Sequence, residues 1–199
     1  DGGHTLTKGA QLIDLFAPLE VSGTKMQATV VAASVGVAAG SGGASAAVTV
    51  SVTEAMNEST GVTEALVTGS DVSGSNVSVS ADASGDISVV GVAASISAGV
   101  SSSVAVSVTV SAVVIDNAMN NTVSAHVLGG DITSGTGVSV TAEDSSSIDA
   151  VGVAASVAIS VGSSASIAAG AAISIVDNEV NTDLQAILDS DSVAAGGPV

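Results

Sequence analysis

The sequence predicts an all-β protein, a parallel β-solenoid (β-helix) built from about three repeats of 61 residues. Three observations carry this reading. The string VAAS occurs at Val31–Ser34, Val92–Ser95 and Val153–Ser156, with the same interval each time. The stretches around it alternate with period two, β-branched side chains on one parity and Ala, Ser, Thr or Gly on the other. Uncharged runs recur at matching places, at Met26–Thr53, Ile87–Ile115 and Ala150–Val176. A fixed period of this size means stacked copies of one unit, each burying its face on its neighbours. Alternation with β-branching is a strand pattern.

The chain divides into residues 1–25, a divergent N-terminal layer or cap, and repeats at 26–76, 77–137 and 138–199, forming one continuous solenoid. The first segment holds both lysines, Phe16 and Pro18, and Phe16 falls one period before Val77. Terminal repeats are often atypical. Val199 stands one period after Val138, so the sequence reads as a slice of a longer array that stops where another unit would open.

Within a repeat the elements follow in order. An alternating strand opens it, with Val77, Val79 and Ala81 on one face and Ser78 and Ser80 on the other, matched by Val138, Val140 and Ala142. A polar connection follows at Asp82–Asp86 or Glu143–Ser147. Two long runs come next, Ile87–Val100 and Val104–Ile115 around Ser101-Ser102-Ser103, or Ile148–Val161 and Ala165–Val176 around Gly162-Ser163-Ser164. In the first repeat they are Met26–Ala39 and a run from Ala44 to Thr53, around Gly40–Gly43. Val104, Val106, Val108 and Val110 alternate with Ala105, Ser107, Thr109 and Ser111, so a slip of one residue exchanges the faces. Val48, Val50 and Val52 match Val108, Val110 and Ala112 only at one residue less than the period, which predicts a shortened turn in the first repeat.

An acidic/Asn turn is expected next, at Asp116-Asn117 or Asp177-Asn178-Glu179, then a short strand at Val123–Leu128, Leu184–Leu188 or Val62–Val67, then a Gly/Ser/Asp corner. Corresponding positions such as Ala33, Ala94 and Ala155 should stack. Coils of about 20 residues would give three per unit and a stack about 45–50 Å long, whereas one elongated coil per unit gives about 15 Å. The competing arrangement pairs Ile87–Val100 with Val104–Ile115 as an antiparallel hairpin.

Composition narrows the function. With 46% apolar residues and a mean hydropathy of +0.66 the chain can bury a core, but with one Phe and no Trp or Tyr that core must use small and β-branched side chains. The small-residue face reads either as a narrowed interior or as a surface for close sheet packing and lateral association of filaments. A net charge of −17 with only two Lys and no Arg excludes nucleic acid and anionic membranes as partners, because phosphate binding needs basic residues. The absence of Cys excludes disulfides and thiolate metal sites. The uncharged runs exceed the roughly 20 residues of a membrane helix. Their alternation, their Ser/Gly breaks and the lack of aromatic or basic flanks argue against membrane insertion. Lys25 is the last basic residue, so trypsin should leave everything after it whole.

Catalysis is not supported: His4 and His126 are the only bases near neutral pH, and no nucleophile elbow, zinc-helix or P-loop pattern occurs. His126 falls on the parity opposite Val123, Ala125 and Val127, which predicts an exposed strand residue. Asp116, Asp177, Glu179, Asp189 and Asp191 place oxygens at turns and are the candidate ligands for calcium, which needs six to eight. The first repeat has Glu54-Ala55-Met56-Asn57-Glu58 there instead, and solvated turn residues are the stronger reading. Asn117 and Asn178 could stack as a side-chain ladder.

The segment Val138–Leu188 resembles repeats of very large secreted bacterial proteins, the filamentous haemagglutinin-like exoproteins and leukotoxin-type filamentous adhesins. The matching elements are an opening V-x-V-x-A, alternating small-residue runs, an I/V-D-N step and a short A-x-I/V strand, with Gly-Gly after it at Gly129-Gly130. The resemblance spans about residues 26–199 and implies parallel β-helices exported to the bacterial cell surface. It carries no binding residue onto this chain. The expected function is a non-catalytic stalk or fibre segment of a surface adhesin, the alternative a subunit of a self-assembling extracellular filament or sheath. The expected partners are further copies, stacked end to end, and a receptor on a host or neighbouring cell. No cofactor is expected.

Overall fold

The computed structural model describes residues 19–20, 24–41 and 43–199, whose regular structure is entirely strand. His4, Lys8, Phe16 and Pro18 lie outside the described residues. The strands are β1 (Leu19–Glu20), β2 (Thr24–Gly40), β3 (Ser45–Thr68), β4 (Val72–Gly74), β5 (Val77–Ala83), β6 (Gly85–Ser101), β7 (Val104–Leu128), β8 (Asp131–Ser134), β9 (Val138–Asp144), β10 (Ser147–Gly162), β11 (Ala165–Asp189) and β12 (Ser192–Ala195).

They form four sheets, β1-β5-β9, β2-β6-β10, β3-β7-β11 and β4-β8-β12, and every pairing is parallel. The fold is the expected parallel β-solenoid. Ala33 pairs with Ala94 and Ala94 with Ala155, so one repeat is one elongated coil. Three layers at about 4.8 Å give a stack about 15 Å high. The antiparallel hairpin is excluded: β6 and β7 face each other across the interior and each pairs with its equivalents in the neighbouring coils.

The acidic/Asn turn does not exist. β7 and β11 run unbroken through Asp116-Asn117 and Asp177-Asn178-Glu179, and the expected short strands are their continuations. Asn and Asp favour turns because their side chains can bond their own backbone. Here the inward Asn bonds the same residue in the next coil instead. The polar connection also shrinks, to Ser84 in the second coil and to Ser145–Ser146 in the third. The corner holds a strand of its own, β4, β8 or β12. Entry to β8 needs the left-handed backbone of Gly129 and Gly130 (φ 70° and 80°).

The turn in the first coil is longer, not shorter. Gly40 pairs with Ser101 and Ser45 with Ala105, so residues 41–44 stand where residues 102–104 stand in the next coil. The following corner compensates. Gly74 pairs with Ser134 and Val77 with Val138, so residues 75–76 face residues 135–137 and the period returns to 61.

The interior is graded. At the wide end, Val77, Val79 and Ala81 of β5 pack on Val123, Ala125 and Val127 of β7, closed by Ile132 of β8. In the middle, Ile87, Val89 and Ala93 of β6 meet Val113, Ile115 and Met119 of β7. Towards the turn only small residues face inward: Ser95, Ser97 and Gly99 from β6, and Ala105, Ser107, Thr109 and Ser111 from β7. The small-residue parity is therefore the narrowed interior. A Cβ on Gly99 would stand 2.9 Å from the Val106 carbonyl oxygen, so glycine is required by the close approach of the two sheets. Hydroxyls bridge this zone. Ser95 Oγ lies 2.7 Å from Ser111 Oγ, and Ser51 donates to the Ala94 carbonyl (2.8 Å), Ser107 to Ile159 (2.6 Å) and Ser111 to Ala155 (2.6 Å). These last three bonds join a strand to the facing strand of the next coil.

Candidate functional site

Three features of the stack place polar or apolar chemistry where it can act. The first is an asparagine column within the long return strands. Because inward and outward positions alternate, Asn57, Asn117 and Asn178 all point inward and Asp116 and Asp177 point outward. Asn57 Nδ2 donates to Asn117 Oδ1 (2.7 Å), and Asn117 Nδ2 donates to Asn178 Oδ1 (2.8 Å). Asn117 is completely buried. The expected ladder of Asn117 and Asn178 is present, and Asn57 extends it. Asn57 was hard to find in sequence because the longer first turn shifts it off the period by one. A second, outer pair forms where Asn181 Nδ2 donates to Asn120 Oδ1 (3.2 Å).

The expected calcium residues separate into different places. Asp116 and Asp177 are register partners, exposed side by side on the outer face, with Met56 as the third member of the row. Glu179 lies two residues along on the same face, and its Oε1 accepts from Asn181 Nδ2 (2.8 Å). Asp189 ends β11 at the far end of the strand, and Asp191 Oδ2 accepts from the Gly130 N–H (3.1 Å). Among the described residues no three His, Cys, Asp or Glu side chains are grouped to hold a metal ion.

The second feature is the bend between β9 and β10. Asn121 Nδ2 donates to Asp144 Oδ2 (3.0 Å) and to Ser146 Oγ (2.8 Å), and Thr182 Oγ1 donates to Asp144 Oδ2 (2.7 Å). Burial raises the Asp144 pKa, but the hydrogen bonds from Ser146, Asn121, Thr182 and the Ser146 backbone N–H outweigh it and hold the carboxyl below its ordinary value. This cluster ties the second coil to the third. Asn121 and Thr182 stand one period apart and pair in register, but nothing periodic links either to Asp144, so the cluster carries no sequence motif. In the first coil Gly61 replaces Asn121, leaving a small cleft bordered by Ser84 and Met119.

His126 differs from its expectation. It is half-buried rather than exposed, because Leu66 and Ile187 flank it in register on the outer face. Its Nε2 has no hydrogen-bond partner.

The third feature is the outer face of the β2-β6-β10 sheet. With the small residues turned inward, the β-branched ones must face out. On β6 the outward residues running towards the turn are Val90, Val92, Ala94, Ile96, Ala98 and Val100. Their register partners on β10 are Val151, Val153, Ala155, Val157, Ile159 and Val161. On β2 they are Thr29, Val31, Ala33, Val35, Val37 and Ala39. Val35 is 74% exposed and Ile159 is 52% exposed. Charge begins only beyond this patch, at Asp149 and at the exposed Lys25–Asp86 pair (3.7 Å). Among the described residues no helix is long and apolar enough to cross a membrane.

Comparison with protein-family models, with curated proteins and with solved structures gives no significant match for this chain.

Proposed function

We propose that this chain is a non-catalytic structural segment of a secreted bacterial surface adhesin or exoprotein, serving as stalk or fibre. The supporting observation is the one-coil repeat with parallel, in-register ladders. Each added coil extends the array by about 4.8 Å without altering its cross-section, which is what a spacer of adjustable length requires. The resemblance of Val138–Leu188 to exported filamentous exoproteins points the same way. The charge of −17 keeps an apolar, strand-rich chain soluble through self-repulsion. Antibodies against the chain, applied to intact cells of the source organism, test the reading. Surface labelling that is lost on protease shaving is expected. Labelling that requires permeabilised cells would sink it.

A second reading is a subunit of a self-assembling extracellular filament or sheath. It is compatible with coils that stack in parallel register, since each coil can pair with an identical one from another copy. Strand edges template such pairing. Electron microscopy of the purified chain would then show filaments with a 4.8 Å axial repeat that lengthen with concentration. A receptor on another cell belongs to the adhesin reading, and calcium bound near the Asp116–Asp177 pair is compatible with either.

A further inference from the structure

We infer that two copies of this chain pair face to face through the outer surface of the β2-β6-β10 sheet. This inference does not rest on the adhesin or the filament reading, since it concerns the side of the stack and not its ends.

The argument starts from the repeated VAAS string. In each coil its Val and its second Ala point outward, and its first Ala and Ser point inward. Stacking turns one string into two rows along the solenoid axis. Val31, Val92 and Val153 form a ridge, and Ala33, Ala94 and Ala155 form the furrow beside it. A second β-branched ridge bounds the furrow on its other side. A second copy presents the same ridges and furrow at the same spacings, about 6.6 Å apart along the strands and about 4.8 Å between residues along the axis, so its ridge can seat in this furrow. A partner of unrelated structure has no such matched period.

Area supports a pair. Six outward positions along each strand span about 40 Å, and three strands about 14 Å, a footprint on the order of 550 Å² per copy. A contiguous apolar patch of this size is at the upper end of what monomers expose. Two such faces together remove about 1,100 Å², which clears the roughly 1,000 Å² expected of a specific interface. Every further coil would add about 190 Å² per copy.

Charge supports the same occupant. The patch holds no ionisable residue, and its polar members are limited to Thr29. Asp86 and Asp149 flank the patch on the same outer face, while Glu143 lies on β9 and Asp177 and Glu179 on β11. Pairing confined to the patch therefore leaves the carboxylates of two chains of −17 outside the contact. An anionic lipid surface would face the same carboxylates with only Lys25, already paired with Asp86, to offset them among the described residues.

Sedimentation velocity of the whole chain over a wide concentration range tests this. A closed monomer–dimer equilibrium is expected, strengthened by salt as repulsion is screened. Combining Val92→Asp with Val153→Asp places unpaired carboxylates in the contact and should weaken dimerisation at least about a hundredfold. The far-UV CD spectrum should stay unchanged, because both side chains point outward. Val108→Asp, in the other apolar outer face, where Val48, Val50, Ile167 and Ile173 are also exposed, should leave the dimer intact. The proposal is overturned by a wild type that stays monomeric, by a dimer that survives the double substitution, or by one lost with Val108→Asp. Open-ended growth unaffected by the double substitution would also overturn it, while leaving end-to-end stacking standing. Flotation with phosphatidylcholine vesicles supplies the last arm: vesicle binding by a chain that remains monomeric in solution would assign the face to lipid instead.

Discussion

Replacing Asn117 separates a hydrogen-bonded ladder from mere filling of space. Asn117 is fully buried, accepts from Asn57 (2.7 Å) and donates to Asn178 (2.8 Å). Asn117→Ala removes both bonds. Each is worth about 1 kcal/mol net, so the loss is about 2 kcal/mol. It stays near that value because Asn57 is half-buried and Asn178 exposed, and both recover water. Asn117→Asp is nearly isosteric and still accepts from Asn57, but as a carboxylate it cannot donate to Asn178. An uncompensated buried charge raises the cost to about 3–5 kcal/mol at neutral pH. Burial raises the folded-state pKa of such an Asp above its unfolded value of about 3.9. The protonated form donates again, so stability is fully present below the unfolded pKa and is lost as pH rises through the folded one. Urea unfolding followed by far-UV CD is the assay, since the chain has no Trp or Tyr to report by fluorescence. The difference from the unsubstituted chain should shrink on acidification for Asn117→Asp and stay constant for Asn117→Ala. Equal, pH-independent losses for the two variants would refute the ladder as an energetic element.

Gly99→Ala should destabilise by about 1–3 kcal/mol, because the new methyl meets the Val106 backbone across the narrow interior, whereas Gly43→Ala, with open space at its Cβ, should change the unfolding midpoint little. The depressed Asp144 pKa contributes stability that is present above the unfolded carboxyl value of about 3.9 and is lost as pH falls through the folded one. Asp144→Asn should therefore flatten the acid limb of the stability–pH curve, and an unchanged limb would count against the cluster. Asp116→Asn relieves the like-charge row with Asp177 and should stabilise the chain by about 0.2–1 kcal/mol at low salt, an effect that vanishes at high salt. If calcium is held there, adding it will raise the melting temperature of the unsubstituted chain and not that of the variant.

The period and the alternation made the class of fold, the parallel pairing and the stacking of Ala33, Ala94 and Ala155 legible from residue types alone. Alternation says which residues share a face, and the small parity of Ser107, Thr109 and Ser111 was rightly open to a narrowed interior. What misled was local chemistry. Asp-Asn reads as a turn because its side chains can satisfy their own backbone, but at Asp116-Asn117 the neighbouring coils satisfy it first. His126 was placed on the correct parity, yet its exposure depended on Leu66 and Ile187, which only the register brings beside it. In the Asn121–Asp144–Thr182 cluster the period aligns Asn121 with Thr182, but no periodic comparison relates either to Asp144. The direction of the turn-length change was missed because a shift in register records a difference between two turns and not which of them carries the extra residue.

That shift has a consequence for how such a chain tolerates change. The extra residue at positions 41–44 displaces the whole of β3 and β4 by one, and the shorter corner at residues 75–76 returns the chain to phase before β5. Within that interval the coil keeps its inward and outward parity, because the displaced strand re-pairs as a block. The turn and the corner thus work as two slip joints, and the long strands between them slide as rigid cassettes. One residue added at such a joint shifts the following strand as a block, whereas one added inside a strand exchanges its inward and outward residues. The array can then gain, lose and exchange coils while its ladders stay in register, with length changing faster than cross-section.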